Sequence, residues 1–159
     1  MSRHSAEISW RSDGRFDSGR YSRRHQWRFD GGAVVAASAS PDVVPEPMSD
    51  PAGVDPEEAL VASAASCHML WFLALAQQAG FAVESYDDSA EGEMGRIAAG
   101  RMAIIRIVLR PRVAFAGPEP AADELARLHH EAHERCFIAN SLTAEIVVEP
   151  ADGLPLAAG

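Results

Sequence analysis

One stretch of the 159-residue chain decides the fold, and it reads Asp55-Pro56-Glu57-Glu58-Ala59-Leu60-Val61-Ala62-Ser63-Ala64-Ala65-Ser66-Cys67-His68-Met69-Leu70. Its first residues are typical of a helix N-terminus. Asp55 suits the N-cap, Pro56 suits the first turn, and Glu58 stands where a capping box needs a carboxylate. Gly80 suits the position just beyond the last turn. We therefore predict one helix from Pro56 to Ala79, apolar nearly all round and hence covered on most sides.

Strand patterns surround this helix on both sides. The predicted strands before it are Ala6–Trp10, Tyr21–Phe29 and Ala33–Ala39, with a hairpin signal at Asp30-Gly31-Gly32. The predicted elements after it are strands Val83–Met94 and Met102–Phe115, a helix Ala121–Cys136 and a strand Thr143–Glu149. The order βββαββαβ predicts a single α+β domain over residues 1–150. Residues 151–159 are expected to form a frayed tail.

Composition narrows the class of partners and the compartment. The net charge of −9 argues against nucleic acid as a partner, because phosphate binding needs concentrated Lys and Arg. The apolar helix is largely alanine and contains Ser63, Ser66 and His68, which favours a buried helix over a membrane span. The first thirty residues lack the apolar core of a signal peptide, so we expect a cytoplasmic protein.

Two cysteines, Cys67 and Cys136, are the main candidates for chemistry. They are either a redox pair or two inert core residues, since a buried Cys on an apolar helix is usually a small hydrophobic residue. In a reducing cytoplasm a disulfide between them would cycle rather than remain as a structural bridge. A cation that favours the Cys67 thiolate must come from elsewhere in the structure, because no Lys or Arg occurs between Pro56 and Phe81.

Helix geometry limits which residues can share a site. Glu57 and Cys67 are ten residues apart, which is about 15 Å along a straight helix. If both residues serve one site, they come from different subunits, and the protein is at least a dimer. Glu58 has a simpler role as the capping carboxylate. His129, His133 and Cys136 share one helix face, which leaves a weak metal-binding alternative open.

The quoted stretch resembles the central helix of the OsmC/Ohr family of bacterial peroxidases, in which the first cysteine follows a Pro-Glu start by ten residues. Cys136 matches the family's second cysteine, near the end of a helix before a final strand. The run from Tyr21 to Gly32 resembles the OsmC-like sub-branch. This resemblance implies an OsmC-like βββαββαβ domain with a long buried central helix, assembled as an intertwined homodimer.

The resemblance also implies a function: a thiol peroxidase for organic hydroperoxides. Cys67 would form a sulfenic acid, Cys136 would resolve it as a disulfide, and Glu57 with an arginine would activate Cys67. We choose Arg23 as that arginine. No cofactor or metal is expected, only an external dithiol reductant of the dihydrolipoyl type. The arginine remains open among four candidates, Arg15, Arg20, Arg23 and Arg24.

Further expectations concern the residue after Cys136, the substrate pocket and an alternative function. Family members often carry Pro after the second cysteine, whereas this chain has Phe137. An apolar pocket would favour alkyl hydroperoxides over hydrogen peroxide, and its expected lining is Met69, Trp71, Phe72 or Phe137. The alternative function is a redox-sensing or small-ligand-binding protein on the same fold, without fast peroxidase turnover.

Overall fold

The computed structural model describes residues 1–150, so the predicted tail at 151–159 lies outside the described residues. The elements before the long helix are β1 (Ala6–Ser9), β2 (His25–Phe29) and β3 (Val34–Ala37). The long helix is α1 (Pro56–Gln78). The elements after it are β4 (Val83–Asp88), β5 (Glu91–Ala98), β6 (Arg101–Leu109), β7 (Pro111–Phe115), α2 (Ala122–Arg135) and β8 (Glu145–Val148). The α+β class is confirmed.

The described residues divide into two compact units, the first formed by residues 1–59 and the second by residues from 60 onward. The first unit contains an antiparallel sheet in the order β1-β2-β3. The predicted hairpin at its centre is confirmed: Phe29 N–H donates to Ala33 O at 3.0 Å, and Gly32 has the positive φ of +88° that such a turn requires. The single domain over residues 1–150 stays a prediction.

The second strand is shorter than predicted, because it begins at His25 rather than Tyr21. The residues before it hydrogen-bond to a loop and to each other instead of to a strand. Arg23 N–H donates to Met48 O at 2.7 Å, and Arg24 N–H donates to Ser22 Oγ at 3.2 Å. Alternation of residue types continues through this segment, but the ladder partners that define a strand are missing.

In the second unit, each of the two predicted strands is divided in two. The strand predicted over Val83–Met94 is β4 and β5, and the strand predicted over Met102–Phe115 is β6 and β7. Strand β4 pairs with β7, whereas β5 pairs with β6, which also carries β8 in parallel. At the point of division, the Asp88 carboxylate accepts the Arg110 N–H at 2.7 Å, in place of a ladder bond.

The start of α1 is the predicted capping box. Asp55 N–H donates to Glu58 Oε1 at 2.9 Å, and Glu58 N–H donates to Asp55 Oδ1 at 2.8 Å. The helix ends at Gln78, one residue before the predicted end, and Gly80 follows with a positive φ of +86°. The reciprocal bonds satisfy two N–H groups that have no partner inside the helix.

One face of α1 packs in two hydrophobic clusters of the second unit. The first cluster consists of Phe72, Leu75, Ala76, Leu128 and Ala132, and the second of Ala64, Ile107, Leu109 and Val148. Only 33% of the most apolar 18-residue window of α1 is buried, and the Leu70 side chain is 61% exposed. By length and composition alone, α1 would also fit a membrane span. Most of the other apolar side chains of this window are half-buried, and Leu70 remains exposed in a single copy of the chain.

Candidate functional site

The second unit brings the two cysteines together, although 69 positions separate them in the sequence. Cys67 lies on α1 and is half-buried, and Cys136 caps the C-terminus of α2 and is 2% exposed. Both are free thiols. Burial and the neighbouring Cys67 thiol raise the pKa of Cys136 to about 11. At neutral pH Cys136 is therefore protonated, and Cys67 is the more accessible of the two sulfur atoms.

A buried pair of histidines joins α1 to α2 beside the thiols. His68 follows Cys67 in the chain, and its Nε2 lies 3.1 Å from Nδ1 of His129 on α2. The two rings are parallel, with 5.4 Å between their centroids and 5° between their planes. Burial, followed by the proximity of His129 and His133, lowers the pKa of His68 to about 3. Burial likewise lowers the pKa of His129 to about 4, so both rings are neutral at pH 7.

The metal-binding alternative finds no support in residues 1–150. No group of three His, Cys, Asp or Glu side chains in this part of the chain has a geometry that could hold a metal ion. Nδ1 of His129, a nitrogen that a metal would need, is instead hydrogen-bonded to His68. On the face shared by His129, His133 and Cys136, His129 and Cys136 are buried.

Two of the four candidate arginines are paired with carboxylates. Arg15 Nη2 lies 2.7 Å from Asp13 Oδ2, and Arg24 Nε lies 2.7 Å from Asp50 Oδ2. Arg20 is exposed to solvent. A guanidinium that is paired with a carboxylate has fewer free N–H donors for a thiolate or a peroxide, and its charge is partly neutralised. These pairings set Arg15 and Arg24 apart from Arg23.

Arg23 stacks on an aromatic ring of its own unit. Its guanidinium carbon lies 3.6 Å above the Tyr21 ring centroid, and Nη1 donates to Tyr21 O. Within residues 1–150 no carboxylate lies at ion-pair distance from Arg23. The expected contact with Glu57, which is half-buried in the first turn of α1, is therefore not formed in this structure. The roles of Arg23 and Glu57 stay predictions.

Arg23 also lines a cavity of about 420 Å³ that sequence reasoning missed. Three aromatic rings pack against one another at its wall: the centroid distances are 5.8 Å for Trp10–Phe16, 4.8 Å for Phe16–Tyr21 and 5.7 Å for Trp10–Tyr21. We call it the aromatic cavity. Its complete lining, all within the first unit, is Trp10, Phe16, Tyr21, Arg23, His25, Ser38, Ala39 and Pro56.

The apolar residues that were expected to form a pocket lie elsewhere. Phe72 belongs to the hydrophobic core, and the Trp71 ring packs edge-on against Phe137, 5.6 Å away. One signal for the aromatic cavity was present in the sequence. Tyr21, Arg23 and His25 recur at every second position, which in extended backbone places their side chains on one side.

The sequence model of the OsmC-like protein family matches residues 49–151. The chain belongs to the OsmC-like family. It is 49% identical to an OsmC-like protein of unknown function from Vibrio cholerae, with a TM-score of 0.91, covering 94% of this chain and 99% of that one. The predicted OsmC/Ohr resemblance, including the OsmC-like branch, is thereby confirmed.

Solved structures of lower sequence identity share the fold of this OsmC-like protein. An organic hydroperoxide resistance protein from Elizabethkingia anophelis has a TM-score of 0.72 at 15% identity, covering 96% of this chain and 98% of that one. An organic hydroperoxide resistance protein from Legionella pneumophila has a TM-score of 0.64 at 15% identity, covering 94% and 96%. No curated protein matches the chain. At these identities the likeness shows the fold alone.

Proposed function

We propose that this OsmC-like protein reduces organic hydroperoxides with Cys67 as the attacking thiol and Cys136 as the resolving thiol. The proposal rests on the proximity of two reduced thiols that have different environments. One is half-buried and accessible, and the other is buried with its pKa raised to about 11. Family membership and the names of the distant structural neighbours agree with this chemistry.

The difference between the two environments supports the following proposed order of steps. The Cys67 thiolate attacks one peroxide oxygen, so that an S–O bond forms and the O–O bond breaks. The other oxygen leaves as alkoxide and takes a proton to become the alcohol. Cys67 is then a sulfenic acid, oxidised by two electrons.

The second step uses Cys136 as a thiol. Its sulfur attacks the Cys67 sulfur, so that the S–S bond forms and the S–O bond breaks. The departing hydroxide takes the Cys136 proton and leaves as water. An external dithiol, proposed to be of the dihydrolipoyl type, restores both thiols by disulfide exchange. No metal or organic cofactor takes part in this sequence.

Arg23 and Glu57 are proposed to assist Cys67, on the strength of the family resemblance. Arg23 is available for this role, because no carboxylate within residues 1–150 is paired with its guanidinium. The guanidinium groups of Arg15 and Arg24, in contrast, are paired with carboxylates. Its guanidinium would favour the thiolate and bind the peroxide oxygens, and Glu57 would hold it in place.

A homodimer is proposed for two reasons. Glu57 and Cys67 lie on one continuous helix, about 15 Å apart along its axis, so a shared site needs residues of two copies. A second copy would also bury the apolar side chains of α1 that are exposed or half-buried in a single copy, Leu70 among them. Such burial gains roughly 25 cal/mol for each Å² of apolar surface removed from water. We place this dimer in the cytoplasm.

The test is consumption of cumene hydroperoxide with dihydrolipoamide as reductant. The wild-type protein should turn over, Cys67→Ser should consume no peroxide, and Cys136→Ser should react once and then stall. Arg23→Ala should slow the reaction, whereas the matched Arg20→Ala variant should not. Equal rates in the wild type and Cys67→Ser would overturn the peroxidase and leave the binding alternative. A single turnover in wild type, with no recycling by dithiols, would favour redox sensing.

A further inference from the structure

We infer that the aromatic cavity selects ligands that combine a flat aryl group with one anionic or acceptor head, and that Arg23 binds the head. The inference rests on the proposed function in one respect only: during turnover the ligand would be an aryl-substituted hydroperoxide. Binding itself requires no reaction. The polar groups of the cavity that already have partners in the protein determine what a ligand can bind.

Most polar groups of the cavity bond to the protein itself. Trp10 Nε1–H donates to Ser22 O at 2.8 Å. His25 Nδ1 lies 2.8 Å from Arg23 O, and His25 Nε2 accepts the Trp27 Nε1–H at 2.9 Å. Both ring nitrogens of His25 are therefore engaged, with the proton on Nδ1. Neither the indole nor the imidazole has a polar atom left for a ligand.

The remaining polar residues differ in what they can offer. Ser38 is buried, and its hydroxyl accepts the Asp50 N–H at 2.9 Å. The Arg23 guanidinium has five N–H donors, of which one is used by Tyr21 O. No carboxylate within residues 1–150 is paired with it. The guanidinium is thus the charged donor group of the cavity with most of its N–H groups free, beside the uncharged Tyr21 hydroxyl. It suits a carboxylate or a peroxide, each of which offers two oxygen atoms.

The walls of the cavity select for the rest of the ligand. Three ring centroids lie 4.8 to 5.8 Å apart in tilted and edge-on arrangements, which is the spacing that aromatic groups prefer. A fourth ring, supplied by a ligand, can join the same cluster. The volume of about 420 Å³ admits an aryl group with a short substituent. Phe16 is 55% exposed, so the cluster is open to solvent on its side.

An aromatic cluster of this kind often binds organic cations, but here the chain's own cation excludes them. Arg23 already lies over the Tyr21 face, where an ammonium group would bind. A cationic ligand would meet like charge, whereas an anionic one gains a charge-assisted hydrogen bond. Hydrogen peroxide, which has no apolar body, gains nothing from the rings.

The experiment uses the full-length Cys67→Ser protein, which cannot turn over, and two ligands that differ only in aromaticity. Isothermal titration with phenylacetate and with cyclohexylacetate compares an aryl ring with a saturated ring behind the same carboxylate. We expect phenylacetate to bind roughly two- to tenfold more tightly, since aromatic pairs contribute beyond their buried area. Benzyltrimethylammonium, with the opposite charge, should not bind.

Variants of the cavity residues test which side chains produce the preference for the aryl ligand. Phe16→Leu should abolish the preference for phenylacetate, while the control Phe29→Leu should retain it, because Phe29 is 38% exposed and does not line the cavity. Arg23→Ala should weaken both carboxylates at least about tenfold. Equal affinities for the two ligands, or an unchanged preference in Phe16→Leu, would overturn the inference. Binding of phenylacetate by a protein that fails to reduce cumene hydroperoxide would overturn only the proposed function.

Discussion

Lowering the pH from 7 to 5 should destabilise the protein through the His68–His129 pair. The pKa of His68 lies at about 3 and that of His129 at about 4 in the folded chain, against an ordinary value of 6.5. At pH 5 the unfolded chain therefore binds protons at both rings, and the folded chain binds almost none. The free energy of unfolding rises with pH wherever the unfolded state binds more protons. It must consequently fall as the pH drops below about 6.5.

The size of the loss follows from the same linkage. Between pH 7 and pH 5, each histidine that stays neutral in the folded state lowers the free energy of unfolding by about 2 kcal/mol. The pair therefore lowers it by about 4 kcal/mol. That is a large part of the usual total of roughly 5–15 kcal/mol. Asp88 acts in the opposite direction, because burial raises its pKa and acid relieves the cost of its charge.

The assay is urea unfolding of the wild type and two variants at pH 7, 6 and 5, at one protein concentration. In His129→Asn, the amide can occupy the place of Nδ1 and keep the bond to His68. The pH-dependent loss should fall to about half, roughly 2 kcal/mol. The matched substitution at the exposed neighbour, His130→Asn, should leave the full loss in place. Because Asp88 is common to all three proteins, its contribution cancels in the comparison.

An unfolding free energy that does not change between pH 7 and pH 5 would refute the reasoning about the pair. So would a His129→Asn protein that keeps the whole loss of the wild type. Either result would mean that the two rings are hydrated or charged in the folded protein, contrary to their burial between α1 and α2.

Three other predictions concern packing, capping and assembly. Gly92→Ala should destabilise the protein by about 1–3 kcal/mol in thermal unfolding, because the new Cβ would lie 2.6 Å from Val61 Cγ2. Gly31→Ala, whose Cβ meets nothing within 4 Å, is the control. Glu58→Ala should cost about 1 kcal/mol in the same measurement by removing half of the capping box with Asp55. Light scattering should give about twice the chain mass of 17.0 kDa, and a stable folded monomer would contradict the shared-site proposal.

Local signals in the sequence predicted local structure well. The reciprocal bonds of Asp55 and Glu58 involve residues three positions apart, so the pattern contains all the information that the cap needs. The Gly31-Gly32 hairpin is equally local. The second helix was predicted at Ala121–Cys136 and lies at Ala122–Arg135, with Cys136 as its cap.

Features that depend on distant partners could not be predicted in the same way. The division of the long hairpin at Asp88 and Arg110 depends on which strands pair across the chain, and residue propensities do not encode that choice. The His68–His129 bond joins residues 61 positions apart. The two cysteines were predicted to be a redox pair from their resemblance to a family, because their spacing alone did not exclude two inert core residues.

Cys67 and Cys136 of one chain should form a disulfide when an organic hydroperoxide is reduced. A mixture of ¹⁴N-labelled and ¹⁵N-labelled reduced protein is unfolded and refolded together so that dimers of mixed labelling form. Treatment with one equivalent of cumene hydroperoxide and digestion without reductant then test the pairing by mass spectrometry. The account predicts loss of both thiols and a linked peptide of Cys67 and Cys136 with uniform labelling. Two thiols that remain free, or linked peptides of mixed labelling, would contradict it.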